Sequence, residues 1–307
     1  SKTEMSSYRP ISNLPVFGKV QEIAADVQLR QFCETNGLFG MHQHGFRSSR
    51  STTTALLTAA VKWRNEKEKK KFQGVLLFDL SAAYDMLNRE LFIKKACGIT
   101  GSAIKWLRSY LTGRSQAVTI GEEQSSIMEL DDGTPQGSSC SCSLFAIFVG
   151  DLGLWTSASL LLAYADDTCI TVVADSIEEL QEKLELEGER VLKYFANNKM
   201  VANPEKTGLL VLRPTHSKAS IDQLTIDLLG SIIYESEDQK LLGVQMQNNL
   251  KFTKQIEKVK KELQYALSVM SRSWSLRSLR SLNCSRSRAE TIAPRSRMPA
   301  SSLKGPE

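Results

Sequence analysis

An α+β fold is predicted, on three observations. Four apolar runs, Gly74–Leu80, Leu160–Ala163, Cys169–Val173 and Thr207–Leu212, each have the length and composition of a buried strand. The stretches between them carry helical spacing, so the order from residue 74 is strand, helices, strand, strand, helix, strand. That is βαββαβ, the split βαβ or ferredoxin-like topology, in which the first and third strands lie side by side at the sheet centre. Finally, residues 1–72 read as a mixed, mainly helical region placed before this sheet.

The 307 residues are 41% hydrophobic, enough for two or three packed subdomains and unlike a disordered chain. No apolar run approaches the roughly 20 residues of a membrane span, and the start SKTEMSSYRP carries no signal-peptide core, so an intracellular protein with no membrane partner is expected. Six cysteines without Cys-x-x-Cys spacing point to reduced, mostly buried thiols rather than a zinc site or a disulfide framework. The net charge of +5 is unevenly placed: residues 251–307 hold 13 Lys or Arg against 4 acids, which leaves residues 1–250 at −4. A basic end beside an acidic body suits a polyanion partner, and equally suits a solvated tail.

In chain order, Tyr8-Arg9-Pro10-Ile11-Ser12 is an extended start. Val16 to Phe32 has Val20, Ile23, Val27 and Leu29 at helical spacing. Gln43 to Thr52 is a Gly/Ser/Arg loop leading into an apolar helix, Thr53 to Trp63. Arg47 and Arg50 there could hold phosphate with their guanidinium forks, or be ordinary surface arginines. Glu66 to Lys71 is a charged run, read as a solvated helix end.

The first strand delivers Asp79 at its C-terminal edge. Asn88 can cap a helix from Arg89 to Ala96, a further helix near Ile104 to Leu111 ends at Gly113, and Ala117–Ile120 with Ile127–Leu130 suggest a hairpin. Gly133-Thr134-Pro135-Gln136-Gly137-Ser138 is a turn before an apolar helix, Leu144 to Leu152. Gly137 permits close approach of a ligand and Gln136 offers both a donor and an acceptor, although a plain helix-start turn fits as well. Tyr164-Ala165-Asp166-Asp167 forms the tip of the next hairpin. Ser176 caps a helix to about Phe195, and Asn203-Pro204 turns the chain into the last strand with Lys206 at its start.

This topology lets the strand end carrying Asp79 meet the hairpin tip carrying Asp166 and Asp167. Three converging carboxylates make a hard, all-oxygen site that suits Mg²⁺ rather than zinc. Two such ions about 4 Å apart serve in-line phosphoryl transfer, activating a 3′-hydroxyl and stabilising the leaving pyrophosphate.

The pieces YRPIS, QHGFRSSRST, FDLSAAYD, TPQGS, YADD, NKMVANPEKT and KLLGV, in that order, resemble a reverse transcriptase of the non-long-terminal-repeat (LINE-type) retrotransposon kind over roughly residues 8 to 270. The resemblance implies a right-hand polymerase: fingers over 1–72, a palm with finger insertions and a primer-grip turn over 73–245, the start of a thumb helix over 246–270, and a disordered basic tail over 271–307. It implies an RNA template, a DNA primer, deoxynucleoside triphosphates, and two Mg²⁺ ions that Mn²⁺ can replace.

By resemblance Asp79, Asp166 and Asp167 are the metal-binding carboxylates, with the Leu80 carbonyl as an extra ligand. Tyr84 is the ring under the incoming sugar, Gln136 and Gly137 line the nascent base pair, and Arg47 and Arg50 hold the triphosphate. Lys206 protonates pyrophosphate and Leu242-Gly243 is the primer-grip turn. Lys254, Lys258 and Lys261, on a helix whose apolar face is Ile256, Val259, Leu263, Leu267 and Met270, contact template-primer phosphates.

Departures from the family pattern are Ser139-Cys140-Ser141-Cys142-Ser143 after TPQGS, with Cys142 in a proline's place, and Ala82 where a lysine is common. With the Ser/Arg/Pro-rich end they keep a second expectation open: a fragment or decayed copy that is catalytically silent and retains nucleic-acid binding. A viral RNA-dependent RNA polymerase shares the three-aspartate palm; Tyr84, and Tyr-Ala-Asp-Asp in place of Gly-Asp-Asp, argue against it.

Overall fold

The computed structural model describes residues 11, 12, 14–80, 82–96, 98–214 and 223–289. Tyr8 to Pro10, Ser81 and Cys97 of the predicted segments lie outside the described residues. The chain divides into two compact units, Ser1–Phe252 and Thr253–Glu307.

The first unit is built on a six-stranded sheet. Its core is β1 (Phe72–Phe78), the hairpin β6 (Leu160–Tyr164) and β7 (Asp167–Ala174), and β8 (Gly208–Leu212), extended by β9 (Thr225–Leu228) and β10 (Ser231–Ser236). The order β6-β7-β1-β8-β10-β9 contains the predicted βαββαβ arrangement, with the first and third strands adjacent and antiparallel. β10 then runs parallel to β8.

Alternation along the central strands sorts side chains into two cores. Leu76, Phe78, Ile170, Val172, Leu209 and Val211 face the larger core under α6 (Ile177–Asn197). Val75, Cys169, Leu210 and Leu212 face a smaller one with Ala55, Ala59 and Trp63 of α2 (Thr52–Glu68). Layers on both sides explain why β1 reads as a continuous apolar run although its sheet is antiparallel.

Trp63 ties helix to sheet. Its Nε1 donates to Thr171 Oγ1 at 2.8 Å, and Gln73 Nε2 donates to its carbonyl oxygen at 2.8 Å.

Two helix starts, at Asn88 and Ser176, follow the caps foreseen, and Ser51 supplies a third that was not foreseen. Ser51 Oγ accepts from Thr54 N while Thr54 Oγ1 accepts from Ser51 N, a closed capping box on α2. Asn88 caps α3 (Arg89–Lys95) and Ser176 caps α6. α4 is Gly101–Leu111.

Several expectations are corrected. α1 (Val16–Thr35) is a helix as predicted, yet Val20, Ile23 and Val27 are exposed while Glu22, Asp26 and Cys33 are buried. The reason lies in α5 (Ser139–Phe148), against which α1 packs: Asp26 accepts from Ser143 Oγ at 2.5 Å and from Arg30 Nε at 2.7 Å, so a polar face is the matching one. α5 begins five residues before the predicted Leu144 because its Ser/Cys run is furnished with partners, Ser138 Oγ capping Cys140 N and Ser141 Oγ donating to Pro135 O.

The predicted hairpin of Ala117–Ile120 with Ile127–Leu130 is instead two short ladders, β2 (Arg114–Gln116) with β5 (Met128–Leu130) and β3 (Thr119–Ile120) with β4 (Glu123–Gln124). On an exposed arm no buried face sets the register, and the turn at Gly121, φ +63°, sets it. Glu66, placed in a solvated run, is buried between Lys62 and Lys69, which hold its carboxyl below the usual range.

Last in the unit is a separate hairpin, β11 (Asp238–Leu241) and β12 (Val244–Gln247). In the second unit α7 runs from Thr253 to Ala289, past the predicted end near Met270, because Ser271 to Ala289 contains neither Gly nor Pro to stop a helix. Ile256, Val259, Leu263, Leu267 and Met270 are exposed along it. No helix among the described residues is long and apolar enough to cross a membrane.

Candidate active site

Register places the acids. β6 and β7 are joined by a two-residue turn, Ala165-Asp166, with Tyr164 paired to Asp167. Phe78, the last residue of β1, pairs with Thr168, so Asp79 leaves the strand at the end of the sheet where Asp167 begins β7. Beyond β1 the chain is pinned to the strand-like segment before β8: Asn203 N donates to Asp79 O at 3.3 Å, and Leu80, buried, bridges Ala202. Lys206, in the turn that follows, brings Nζ to 3.8 Å from Asp79 Oδ2. Both side chains are more than half exposed, at 60% and 55%, so water screens this pair and it adds little to stability.

The Asp167 carboxyl is held above the usual carboxylate range. Partial desolvation is the largest cause, even though the residue keeps an exposed face; Asp166 and then Asp79 add repulsion, which Lys240 opposes. The three acids thus feel one another. No three His, Cys, Asp or Glu side chains among the described residues, however, stand close enough to hold a metal ion. The predicted convergence is therefore one of backbone position and charge, without a closed ligand shell, as expected where like charges spread apart and Asp79 leans to Lys206.

Tyr84 stands in the turn after β1, its ring 5.0 Å from that of Phe145. Desolvation, followed by the nearby Cys142 and Asp166, pushes the pKa of its hydroxyl upward. The thiol in the proline's place thus lies near the Tyr84 hydroxyl. Gln136 spends its amide on Asp85 Oδ2 at 2.7 Å, and its carbonyl accepts from Ser12 N at 2.9 Å. Gly137, φ +96°, needs glycine for its backbone conformation rather than for space, since a Cβ there would meet only Ile11 and Ser12, each at 3.9 Å.

The two arginines are engaged differently from what was expected. Arg47 pairs with Glu34 at 2.5 Å and donates to Gly40 O at 2.6 Å, with its side chain 11% exposed. Arg50 Nη1 donates to Met41 O at 2.6 Å and to Gln43 O at 3.1 Å. Both hold together the loop they belong to, and contact with a triphosphate would require that loop to release them. Leu242, φ +48°, and Gly243, φ +86°, form the two-residue turn of β11–β12, at the predicted place. Lys254, Lys258 and Lys261 lie on the first turns of α7, Lys258 within 4.0 Å of Glu262.

Sequence reasoning missed Gln43, whose side chain is fully buried and bonded to the acid turn. Only its place three residues before Phe46 in a small-residue loop marked it.

The family model for reverse transcriptase (RNA-dependent DNA polymerase) matches residues 1–246. An RNA-directed DNA polymerase from mobile element jockey of Drosophila funebris is 26% identical over 82% of this chain and 28% of its own length. A probable RNA-directed DNA polymerase from transposon X-element of Drosophila melanogaster is 31% identical over 55% of this chain and 19% of that protein. The chain thus spans less than a third of these curated relatives. Among solved structures, apo telomerase from Candida tropicalis superposes with a TM-score of 0.51 at 14% identity, over 76% of this chain and 40% of that one, a likeness of fold to an α+β right-hand polymerase.

Proposed function

Since the chain belongs to the reverse transcriptase (RNA-dependent DNA polymerase) family, its LINE-type relatives being retrotransposon enzymes, we propose that it is the core of an RNA-directed DNA polymerase. It extends a DNA primer on an RNA template with deoxynucleoside triphosphates, inside the cell. The observation that supports this reading is that Asp79, Asp166 and Asp167 lie at one end of adjacent strands, with the Asp167 carboxyl raised first by desolvation and then by the other two.

Reverse transcriptases as a family use divalent metal ions, and this donor set fits them: oxygen only, mutually repelling, and already drawing Lys206 and Lys240. Asp79, Asp166 and Asp167, with the Leu80 carbonyl, would hold two Mg²⁺, or Mn²⁺ in their place. Bound there, the ions supply charge that activates the primer 3′-hydroxyl and offsets the charge of the leaving pyrophosphate.

The rest falls to the chain's own groups. Lys206 leaves Asp79 to give a proton to pyrophosphate. Gln136 and Gly137 flank the nascent pair, Leu242-Gly243 holds the primer end, and Lys254, Lys258 and Lys261 meet template-primer phosphates in a salt-dependent way. Among the departures that suggested a decayed copy, Cys140 N is capped by Ser138 Oγ, and Ser141 and Ser143 donate to Pro135 O and Asp26 Oδ1.

Tyr84 sets the sugar. With its ring braced on Phe145, it crowds a 2′-hydroxyl. In primer extension on an RNA template, Tyr84→Ala is expected to raise ribonucleotide incorporation relative to deoxynucleotide by about 10- to 100-fold, the range of ~1–3 kcal/mol discrimination. Equal use of both sugars by the unmodified protein would contradict that role.

Cation binding is also readable without turnover. The folded pKa of Asp167 is raised, so the native state binds the extra proton and stability falls as pH rises through the carboxylate range, the loss being complete above the folded value. A divalent ion reverses that loss. At about ten times its Kd, Mg²⁺ or Mn²⁺ is expected to stabilise by ~1.4 kcal/mol at pH 7.5, several degrees in Tm, and by progressively less toward pH 4. An equal shift in Asp166→Ala would remove the ion from this site.

A further inference from the structure

Gln43 is 0% exposed and reaches from the loop before α2 to the acid hairpin. Its Oε1 accepts from Gly45 N at 2.8 Å and from Ala165 N at 3.0 Å. Around it the loop is laced to β6: Ala163 N donates to His42 O at 2.9 Å and His44 N to Ala163 O at 2.7 Å, a parallel bridge across Gln43. Gly45 completes the contact, since a Cβ there would meet Ala165 N at 2.5 Å. Phe46 lays its ring 6.1 Å from that of Tyr164.

Ala165 is where such a clamp matters. It is a non-glycine residue at φ +57°, while Asp166 is not at positive φ, the pattern of a type II′ turn whose first central position favours glycine. An alanine held there is strained, and the surroundings must hold it. Its amide is the donor Gln43 accepts, one residue before Asp166 and two before Asp167.

We propose that Gln43 is a positioning residue for the polymerase reaction, holding the strained Ala165 peptide so that Asp166 and Asp167 present their carboxylates toward Asp79. Arg47 and Arg50 belong to the same device. Both donate to the Gln43 carbonyl, at 3.3 and 3.1 Å, so the arginine loop and the acid turn move as one body through this residue. The Gln43 Nε2 is buried without a hydrogen-bond partner, and the acceptor oxygen is therefore the working half of the amide.

The proposal rests on the polymerase reading for its consequence, so hydrogen exchange is read alongside activity. In the unmodified full chain the Ala165 amide is expected to be protected like the ladder amides of Ala163 and His44; exchange at the rate of a free turn amide overturns the proposal, and needs no variant. Gln43→Met keeps the volume and loses the acceptor. It is expected to speed exchange at Ala165 about tenfold or more, to lower kcat by about 10- to 100-fold with little change in KM for deoxynucleotide, and to raise the Mn²⁺ concentration needed for half-maximal extension.

Adding Ala165→Gly to Gln43→Met relieves the positive-φ strain and is expected to restore kcat by about threefold or more, which mere support of the loop would not produce. No rescue, with Ala165 exchange unaltered by Gln43→Met, overturns the role. Absence of extension by the unmodified chain, with the exchange difference intact, defeats the polymerase reading and leaves the positioning supported.

Discussion

Replacing Asp166 by alanine is expected to reduce primer extension on an RNA template to background, a fall of at least about 10³-fold, the upper range for losing one preorganised electrostatic group. The variant should stay folded. Asp166 sits in a two-residue turn at the sheet end, and its carboxylate repels Asp167, so its loss also relaxes a strain of charge. Two readouts separate chemistry from collapse: extension vanishes, while the Asp167 carboxyl titrates closer to the ordinary range when followed by NMR. Extension within tenfold of the unmodified protein, from soluble folded variant, would remove Asp166 from the reaction. Asp79→Asn should match it in activity and, by freeing Lys206 from its 3.8 Å pairing, should not match it in the titration of Asp167.

Trp63→Ala is expected to cost about 3–5 kcal/mol, the range for truncating a large buried aromatic side chain. Trp63 has no exposed surface, fills the smaller core beneath Val75, Cys169 and Leu210, and is the largest fully buried side chain among the described residues. Its removal also strands the hydroxyl of Thr171, itself 0% exposed, which accepts the indole N–H. Trp63→Phe isolates that second part, at about 1–3 kcal/mol for the lost bond and reduced volume. Urea denaturation gives the numbers, and a loss under 1 kcal/mol for the alanine variant would mean that α2 is not coupled to the sheet. Because Thr171 lies on β7, the strand that begins at Asp167, the same variant should also weaken cation stabilisation.

Periodicity made the sheet legible. β1, β7 and β8 were readable because burial on both faces leaves an apolar run, and the caps Asn88 and Ser176 announced their helices. That Asp79 ends its strand on the side of the sheet where Asp166 and Asp167 turn followed from topology; the spacing of their carboxylates did not. What stayed hidden depended on partners distant in sequence. α1 shows apolar spacing on its exposed side because Asp26 finds Ser143, 117 residues away, and nothing local reveals that pairing. The engagement of Arg47 with Glu34 and Gly40 was not readable either, since its partners are set by the folded loop. Gln43 was invisible for the same reason: its importance is a bond across 122 residues to the Ala165 amide.

The pairing of β1 has a consequence in time. Its neighbours β7 and β8 lie about a hundred residues or more downstream, so during synthesis or refolding Phe72–Phe78 must wait, unpaired on both edges, for strands that do not yet exist. A waiting apolar strand invites association with other nascent chains. The lysines at 69, 70 and 71 stand immediately before it, where like charge keeps two such strands apart until β7 arrives. That run, in which Glu66 later lies in the last turn of α2 and Lys69 caps the helix end, first serves as the chain's gatekeeper beside its first apolar strand.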